Sequence, residues 1–199
     1  SNPRPWSPNE PWLYQIQVRL LDGEGRELDS MQRQFGLRTF HMEAADVPRG
    51  RFYLNSSELR LRGANTMGFE QQDVYRADFE QLFDDILLAK IAHINFWRLT
   101  QRPVQPEIYD YADRLGLMLQ TDLPLFGCMR FSKFTEGIRQ AEEMERMIRS
   151  HPSNVLVSYI NEPFPNASGQ PHRHLTRPEL ELFFRACDQA VRHCNPDRV

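Results

Sequence analysis

The sequence has 199 residues, with 24 basic and 27 acidic side chains and a formal net charge of -3. Its composition is 40% hydrophobic and 26% charged, with 13 Phe, 6 Tyr and 3 Trp, which excludes a collagen, a coiled coil and a disordered tail. No apolar run approaches the ~18 residues of a membrane-spanning helix. The near-neutral charge gives no support for a nucleic-acid or anionic-membrane binder.

The three cysteines, Cys128, Cys187 and Cys194, form no CxxC pair. Their odd, sparse count argues against a disulfide framework, and the missing pair argues against a structural zinc site. Cys187 and Cys194 are spaced to share one face of a helix and are expected to be buried thiols. The first residues contain no basic segment followed by an apolar one, so we expect the chain to be the interior of a longer protein.

The first forty residues indicate β-structure. Leu13–Leu21 alternates apolar and polar side chains, a turn is predicted at Asp22–Gly25, and a second strand runs through Met31–Phe40. Two strands cannot form a stable domain, so this region is interpreted as the end of a β-sandwich whose beginning is absent. A further hairpin is predicted over Phe52–Gly63.

The remainder alternates between strand and helix, which favours parallel βαβ units. Four units fit the chain, whereas a closed (β/α)8 barrel needs about 250 residues. The sequence therefore predicts either the first half of a barrel or a small open α/β sheet. The strands are expected to begin near residues 59, 94, 117 and 155, and the helices are expected at Asp78–Ala92, at Pro106–Leu115, at Glu136–Ser150 and from a Thr176 cap to Asn195.

Polar residues stand at the carboxyl ends of these predicted strands, where barrel enzymes place their catalytic groups. We expect Pro163 to favour an extended conformation at Glu162, which suits a strand tip. From patterning alone, an ordinary strand-end carboxylate remains the alternative interpretation. The residues concerned are Asn65, Arg98, Asp122, Asn161 and Glu162.

The segment Asn154–Glu162 (NVLVSYINE), preceded by Arg149–Ser153 (RSHPS), resembles the acid/base strand of glycoside hydrolase family 2. Further segments, in matching order along the chain, are similar to parts of the same family's immunoglobulin-like domain and barrel. They are Trp6–Tyr14, Phe35–Arg38, Phe52–Asn55, Leu61–Asn65 and Tyr109–Asp122.

The resemblance implies an α/β fold comprising the first half of a (β/α)8 TIM barrel, preceded by the tail of an immunoglobulin-like β-sandwich. Residues 1–40 would be the C-terminal part of the sandwich, and residues 41–199 the first four β/α units of the catalytic barrel. It also implies retaining hydrolysis of a β-glycoside, with a carbohydrate substrate and no cofactor, nucleic acid or membrane partner. A homo-oligomeric parent protein and its compartment stay open, with a cytoplasmic location weakly favoured.

The resemblance also implies roles for the strand-end residues. Glu162 matches the general acid/base, Asn161 the residue that bonds the sugar 2-hydroxyl, and Arg98 the arginine beside the nucleophile. Asp122 and Asn65 match further substrate-binding positions, and no metal ligand is carried over. The nucleophile belongs beyond the last residue of this chain, so the 199-residue chain alone is expected to be inactive.

Several positions have a second interpretation. His172 and His174 are expected in a solvated loop rather than at a metal site. Trp97 is expected in the core rather than as a sugar platform, and the helix over residues 139–149 is expected to present a solvated Arg/Glu face. The alternative function is a non-catalytic carbohydrate-binding or interaction module on the same fold.

Overall fold

The N-terminal part of the chain is antiparallel. In the computed structural model, a two-stranded hairpin is followed by a separate three-stranded sheet. The hairpin strands are β1 (Tyr14–Leu21) and β2 (Glu27–Phe35), and the sheet contains β3 (Phe40–Glu43), β4 (Arg51–Leu54) and β5 (Ser57–Leu59). The structure describes residues 2–45, 50–127, 129–164 and 175–199.

The rest of the chain forms a four-stranded parallel sheet whose strands lie side by side in chain order. This order, with helices following the strands, confirms the predicted first half of a (β/α)8 barrel. The strands are β6 (Gly63–Asn65), β7 (Phe96–Leu99), β8 (Met118–Asp122) and β9 (Asn154–Ser158). The helices are α1 (Phe69–Tyr75), α2 (Phe79–Ile91), α3 (Pro106–Leu115), α4 (Phe134–Ile148) and α5 (Arg177–Cys194).

Two helices have the termini that the sequence predicts. Helix α3 begins with Pro106 in its first turn and ends at Gly116, whose φ of 74° is the left-handed conformation that glycine adopts readily. Helix α5 begins with a capping box, in which Thr176 and Glu179 each bond to the other's backbone N–H. In the part of the chain that the structure describes, no helix has the length and apolar character needed to cross a bilayer.

The first parallel strand differs from its prediction. Asn55 and Ser56 adopt positive φ angles of 49° and 67°, so the chain turns back at once and β5 pairs with β4. The parallel strand therefore starts at Gly63 rather than near residue 59, and helix α1 was not predicted. Similarly, β2 ends at Phe35, and Phe40 opens β3 instead of closing β2.

The sequence predicts that helix α4 presents a solvated Arg/Glu face, and this holds for only part of the helix. Arg139 does pair with Glu136 on the exposed side, at 2.6 Å. Glu145, however, is fully buried and paired with Arg198, whose Nε lies 2.8 Å from Glu145 Oε2. Asn195 Nδ2 also donates to Glu145 Oε1 at 2.8 Å. This buried pair fastens α4 to the segment that follows α5.

Two apolar cores surround the parallel sheet. The larger core lies between the sheet and helices α2 to α5, and includes Ile86, Ile108 and Phe183. The smaller core closes the amino ends of the strands. It packs N-terminal side chains against strand residues, namely Trp6, Phe40 and Leu54 with Phe96, Met118 and Val155. Because the amino end is filled, a ligand site belongs at the opposite, carboxyl end.

Polar contacts also join the N-terminal segment to the parallel sheet. Trp6 Nε1 donates to the carbonyl of Asp113 at 2.8 Å. Arg38 donates from Nε to the carbonyl of Pro152 at 2.9 Å and from Nη2 to that of Asn154 at 2.7 Å. Burial lowers the pKa of Arg38 to about 10, with the nearby Arg198 as the second cause. These contacts fix the entry into β9.

The hairpin carries an exposed apolar face that predicts self-association. Ile16, Val18 and Leu20 follow one face of β1 and are 51%, 58% and 59% exposed, respectively. Such a face favours association between chains. We expect the wild-type chain to form oligomers in size-exclusion chromatography with light scattering, and an Ile16→Thr/Val18→Thr variant to shift towards monomer. A wild-type chain that stays monomeric at every concentration would contradict this prediction.

Candidate active site

Arg98 and Asp122 form an ion pair between the ends of β7 and β8. Arg98 donates from Nε to Asp122 Oδ1 at 3.2 Å and from Nη2 to Oδ2 at 2.6 Å. The Asp122 side chain is fully buried, whereas the Arg98 side chain is 25% exposed. Two parallel N–H···O contacts fix the plane of the guanidinium group as well as its position.

Asn161 joins the same cluster from the segment after β9. Its Oδ1 accepts a hydrogen bond from Arg98 Nη2 at 2.6 Å, and the residue is only 5% exposed. Its Nδ2 is buried without a hydrogen-bond partner among the described residues. Because an unpaired buried donor is costly, this amide is suited to a ligand acceptor. The sequence-predicted residues Arg98, Asp122 and Asn161 are therefore brought together.

The backbone around Asn161 is fixed by the loop after β8. Asn161 and Phe126 form an isolated parallel β-bridge. The Asn161 N–H donates to the carbonyl of Leu125 at 2.8 Å, and the Gly127 N–H donates to the carbonyl of Asn161 at 2.8 Å. The bridge extends the β8–β9 pairing beyond the strands and holds Asn161 on a supported backbone.

Glu162 follows Asn161 directly and is exposed. Its φ of 49° is left-handed, so the prediction that Pro163 would keep it extended is wrong. The chain turns away from the strand direction immediately after the bridged Asn161. Such a conformation costs a non-glycine residue about 1–3 kcal/mol and is concentrated at functional sites. The Glu162 side chain is exposed to solvent, one residue along the chain from Asn161.

Asn65 is at the end of the neighbouring strand and is exposed. It pairs in register with Arg98 across β6 and β7. Both residues line an open cavity of about 460 Å³ together with Leu61, Ala64 and Phe96. Asn65 is thus on the same edge of the sheet as the cluster, separated from Asp122 by strand β7.

Trp97 lies in the core, as predicted. It is 4% exposed, and its ring meets Phe69 edge-on with centroids 5.4 Å apart. Cys187 is a buried free thiol, as predicted, and burial raises its pKa to about 12, whereas Cys194, which was also expected to be buried, is partly exposed. The expectations for His172 and His174 lie outside the described residues.

Sequence reasoning missed a second polar network, next to β6 and β7. Glu70 is fully buried and Gln71 is 3% exposed. Gln71 Nε2 donates to Glu70 Oε1 at 3.4 Å, and Arg102 Nε donates to Gln71 Oε1 at 3.0 Å. Glu70 Oε2 is buried without a partner among the described residues. The sequence signal that could have revealed this network is the run of polar residues after β6. It stands in a βα unit that is otherwise marked by apolar periodicity.

Glu70 should make the stability of the chain depend on pH. Burial raises its pKa above the ordinary 4.5, so ionisation costs free energy only in the folded state. Relative to a Glu70→Gln variant, wild-type stability should be constant below about pH 4.5 and fall as the pH rises through the raised pKa. Urea unfolding across this range measures the difference. A pH-independent difference between the two proteins would show that Glu70 does not titrate in this way.

One group of side chains has the spacing of a metal site. Ligand atoms of Asp110, Asp113 and His151 lie within 4.8 Å of one another. However, His151 Nδ1 is 2.7 Å from Asp113 Oδ2, and Asp113 Oδ1 accepts from the N–H of Ser153 at 3.0 Å. Asp113 is thus satisfied by protein partners, and the group supports the turn before β9, at the amino end of the sheet.

Comparison with known families identifies the chain. Residues 45–190 match the model described as "Glycosyl hydrolases family 2, TIM barrel domain", and residues 1–38 match the one described as "Glycosyl hydrolases family 2". The chain belongs to glycoside hydrolase family 2. The family match agrees with the half barrel and extends into the segment assigned to the immunoglobulin-like domain.

Relatives within glycoside hydrolase family 2 cover most of the chain. It is 29% identical over 182 residues to a β-galactosidase of Psychromonas ingrahamii, covering 87% of this chain and 17% of that protein. It is 32% identical over 165 residues to a putative β-glucuronidase of Formosa agariphila, covering 81% of this chain and 19% of that protein. The chain therefore spans less than a fifth of these relatives' length.

A solved structure has the same fold as this chain. β-Glucuronidase 3 of Bacteroides uniformis superposes with a TM-score of 0.77 and 25% sequence identity, over 98% of this chain and 24% of that one. The four parallel strands and the N-terminal sheets are therefore an arrangement that a known β-glucuronidase also contains.

Proposed function

We propose that this chain carries the acid/base side of the active site of a retaining β-glycosidase. Arg98 forms hydrogen bonds with Asp122 and with Asn161 across the ends of three parallel strands. Glu162 follows Asn161 directly in the sequence. This juxtaposition is the observation that carries the proposal. Retaining hydrolysis needs a carboxyl group that first protonates the leaving oxygen and then activates water, and Glu162 has the exposure for both steps.

Asn161 is proposed to bind the sugar through its amide nitrogen. Arg98 occupies the amide oxygen, which fixes the orientation of the Asn161 side chain. The buried, unpaired Nδ2 can then donate to a sugar hydroxyl oxygen. A hydrogen bond of this kind to the 2-hydroxyl strengthens as the transition state forms. Arg98 would thus act on the sugar indirectly, by orienting Asn161.

Asp122 and Arg98 together set the charge of the site. The buried Asp122 carboxylate neutralises much of the Arg98 charge and holds the guanidinium in place. What remains of the positive charge favours the ionised form of a carboxylate brought close to it. That effect suits a nucleophile, which must be ionised while Glu162 is protonated. The similarity to proteins named β-galactosidase and β-glucuronidase supports a β-glycoside as the substrate.

The proposal can be tested on the protein expressed from its complete reading frame. Nitrophenyl β-glycosides should be hydrolysed with retention of anomeric configuration, and Glu162→Gln should abolish most of this turnover. Glu143→Gln, an exposed carboxylate on α4, is the matched control and should have no effect. Sugar binding without any hydrolysis would instead favour the non-catalytic carbohydrate-binding module.

A further inference from the structure

Phe126 lies directly beside Asn161, the residue proposed to bind the sugar. The two residues are partners in the parallel bridge that extends the sheet beyond β8 and β9. Both neighbours of Phe126 bond to the Asn161 backbone, since Leu125 accepts from its N–H and Gly127 donates to its carbonyl, each at 2.8 Å. Backbones paired in this way are about 4.8 Å apart. The Phe126 side chain therefore starts immediately next to the Asn161 amide.

The bridge also determines the direction in which the Phe126 side chain projects. Side chains alternate between the two faces along a strand, and partners in a parallel ladder project from the same face. The Asn161 amide points to the face that carries Arg98, because its Oδ1 accepts from Arg98 Nη2 at 2.6 Å. Phe126 thus projects from the same face of the sheet as the cluster of Arg98, Asp122 and Asn161.

The Phe126 side chain is open to a ligand, since the residue is 57% exposed. Exposure alone does not indicate a ligand, because single apolar side chains are common on protein surfaces. What distinguishes Phe126 is its position beside the buried Asn161 Nδ2, which has no hydrogen-bond partner among the described residues. Small-molecule sites combine apolar or aromatic surface with a few placed polar groups, and this pair of residues supplies both.

The loop that carries Phe126 is fixed at two points. The Leu123 N–H donates to the carbonyl of Ser158 at 2.7 Å, and the bridge to Asn161 anchors the loop again three residues later. A phenylalanine side chain has only two rotatable bonds. Because the backbone is anchored and the side chain has few rotamers, little conformational freedom is lost when a ligand binds, which favours affinity.

We propose that Phe126 is a platform for the sugar whose hydroxyl group is bound by Asn161, and that its ring contacts the C–H groups on one face of that sugar. This inference rests on the proposed function and adds a substrate-binding residue to the same site. A pyranose ring carries hydroxyl groups around its edge and C–H groups on its faces. Asn161 binds the edge by a hydrogen bond, and Phe126 covers a face by apolar contact.

The test measures binding, so that it does not depend on turnover. In the protein expressed from its complete reading frame and carrying Glu162→Gln, calorimetry gives the Kd of the methyl β-glycosides of galactose, glucuronic acid, mannose and glucose. A methyl group is a minimal leaving group, so these Kd values report contacts to the sugar itself. For the sugar that binds most tightly, Phe126→Ala should weaken binding by about threefold to tenfold. Phe126→Tyr keeps the ring and should bind within about twofold of the parent.

Two further variants separate the flat ring from general packing. Phe126→Leu keeps an apolar side chain without an aromatic face, so its Kd should lie between those of the parent and Phe126→Ala. Phe83→Ala removes a 40% exposed phenylalanine on the outer helix α2 and should leave the Kd unchanged.

Three outcomes would overturn the proposal. The first is an unchanged Kd for Phe126→Ala when it is as stable as its parent, and the second is a parent protein that binds none of the four sugars. The third is a Phe126→Ala variant that is less stable in urea but binds the sugar as before, which would show that Phe126 packs within the complete protein.

The proposed function and the role of Phe126 fail in different ways. If nitrophenyl β-glycosides are not hydrolysed but Phe126→Ala weakens sugar binding, the glycosidase proposal fails and the platform stands. If hydrolysis depends on Glu162 but Phe126→Ala leaves the Kd of every sugar unchanged, the platform fails and the glycosidase proposal stands.

Discussion

Glu162→Ala is expected to slow the hydrolysis of glycosides with poor leaving groups by about 10²–10⁴-fold, the usual contribution of general acid–base catalysis. Such leaving groups must be protonated as they depart, and Glu162 is the proposed proton donor. Activated aryl glycosides need little protonation, so their first step should slow much less. The covalent intermediate should then accumulate, because the base for its hydrolysis is also missing. A series of β-glycosides with graded leaving-group pKa values measures this difference.

Azide provides the decisive control for Glu162. It attacks the intermediate without a general base, so it should restore turnover of activated substrates and give a β-glycosyl azide. Glu162→Gln should behave like Glu162→Ala while preserving the shape of the site. If unactivated substrates are slowed less than about threefold, the acid/base assignment is wrong, since that loss is far below the general acid–base range. An equal loss of turnover for all substrates, without rescue by azide, would instead indicate that Glu162 is the nucleophile or a structural residue.

Glu145→Ala is expected to lower the free energy of unfolding by about 3–5 kcal/mol, because it leaves the buried Arg198 charge without its partner. Arg198 is 3% exposed, so water cannot replace the lost carboxylate. Both of its contacts to Glu145, at 2.8 and 2.9 Å, would be removed together. Urea unfolding monitored by tryptophan fluorescence measures the change.

The matched control for Glu145 is on the same helix. Glu143→Ala removes a carboxylate that also pairs with an arginine, Arg139, but both of these side chains are more than half exposed. An exposed pair contributes only about 0–1 kcal/mol, so this variant should be nearly as stable as wild type. Similar losses from Glu143→Ala and Glu145→Ala would show that burial does not govern the strength of these pairs.

The regular elements were predictable wherever local signals agreed. Helix α3 combines apolar periodicity with Pro106 at its start and Gly116 at its end, and each signal depends only on neighbouring residues. The first barrel strand was misplaced because β6 has only three residues. The residues near 59, where the parallel strand was expected, instead form β5 of the predicted hairpin and pair with β4.

Part of the candidate site was also predictable from the sequence, because it depends on the order of the strands. Residues at the carboxyl ends of parallel strands must share one edge of the sheet, so the proximity of Arg98, Asp122 and Asn161 follows from strand order. The left-handed turn at Glu162 was not predicted, because the local signal, Pro163, favours an extended preceding residue, whereas the φ of Glu162 is 49°. The burial of Glu145 was also hidden, since its partner, Arg198, is 53 residues away in sequence.

The contacts of Trp6 and Arg38 with the barrel have a consequence for domain recombination. Arg38 bonds to carbonyl groups on either side of Ser153, immediately before the strand that leads to Asn161. The N-terminal segment is therefore part of the support of the proposed catalytic residues, not a detachable neighbour. A chimaera that exchanges this segment for another must therefore retain Arg38. If Arg38 is lost, hydrogen exchange at the amides of β9 should accelerate while the outer helices remain protected.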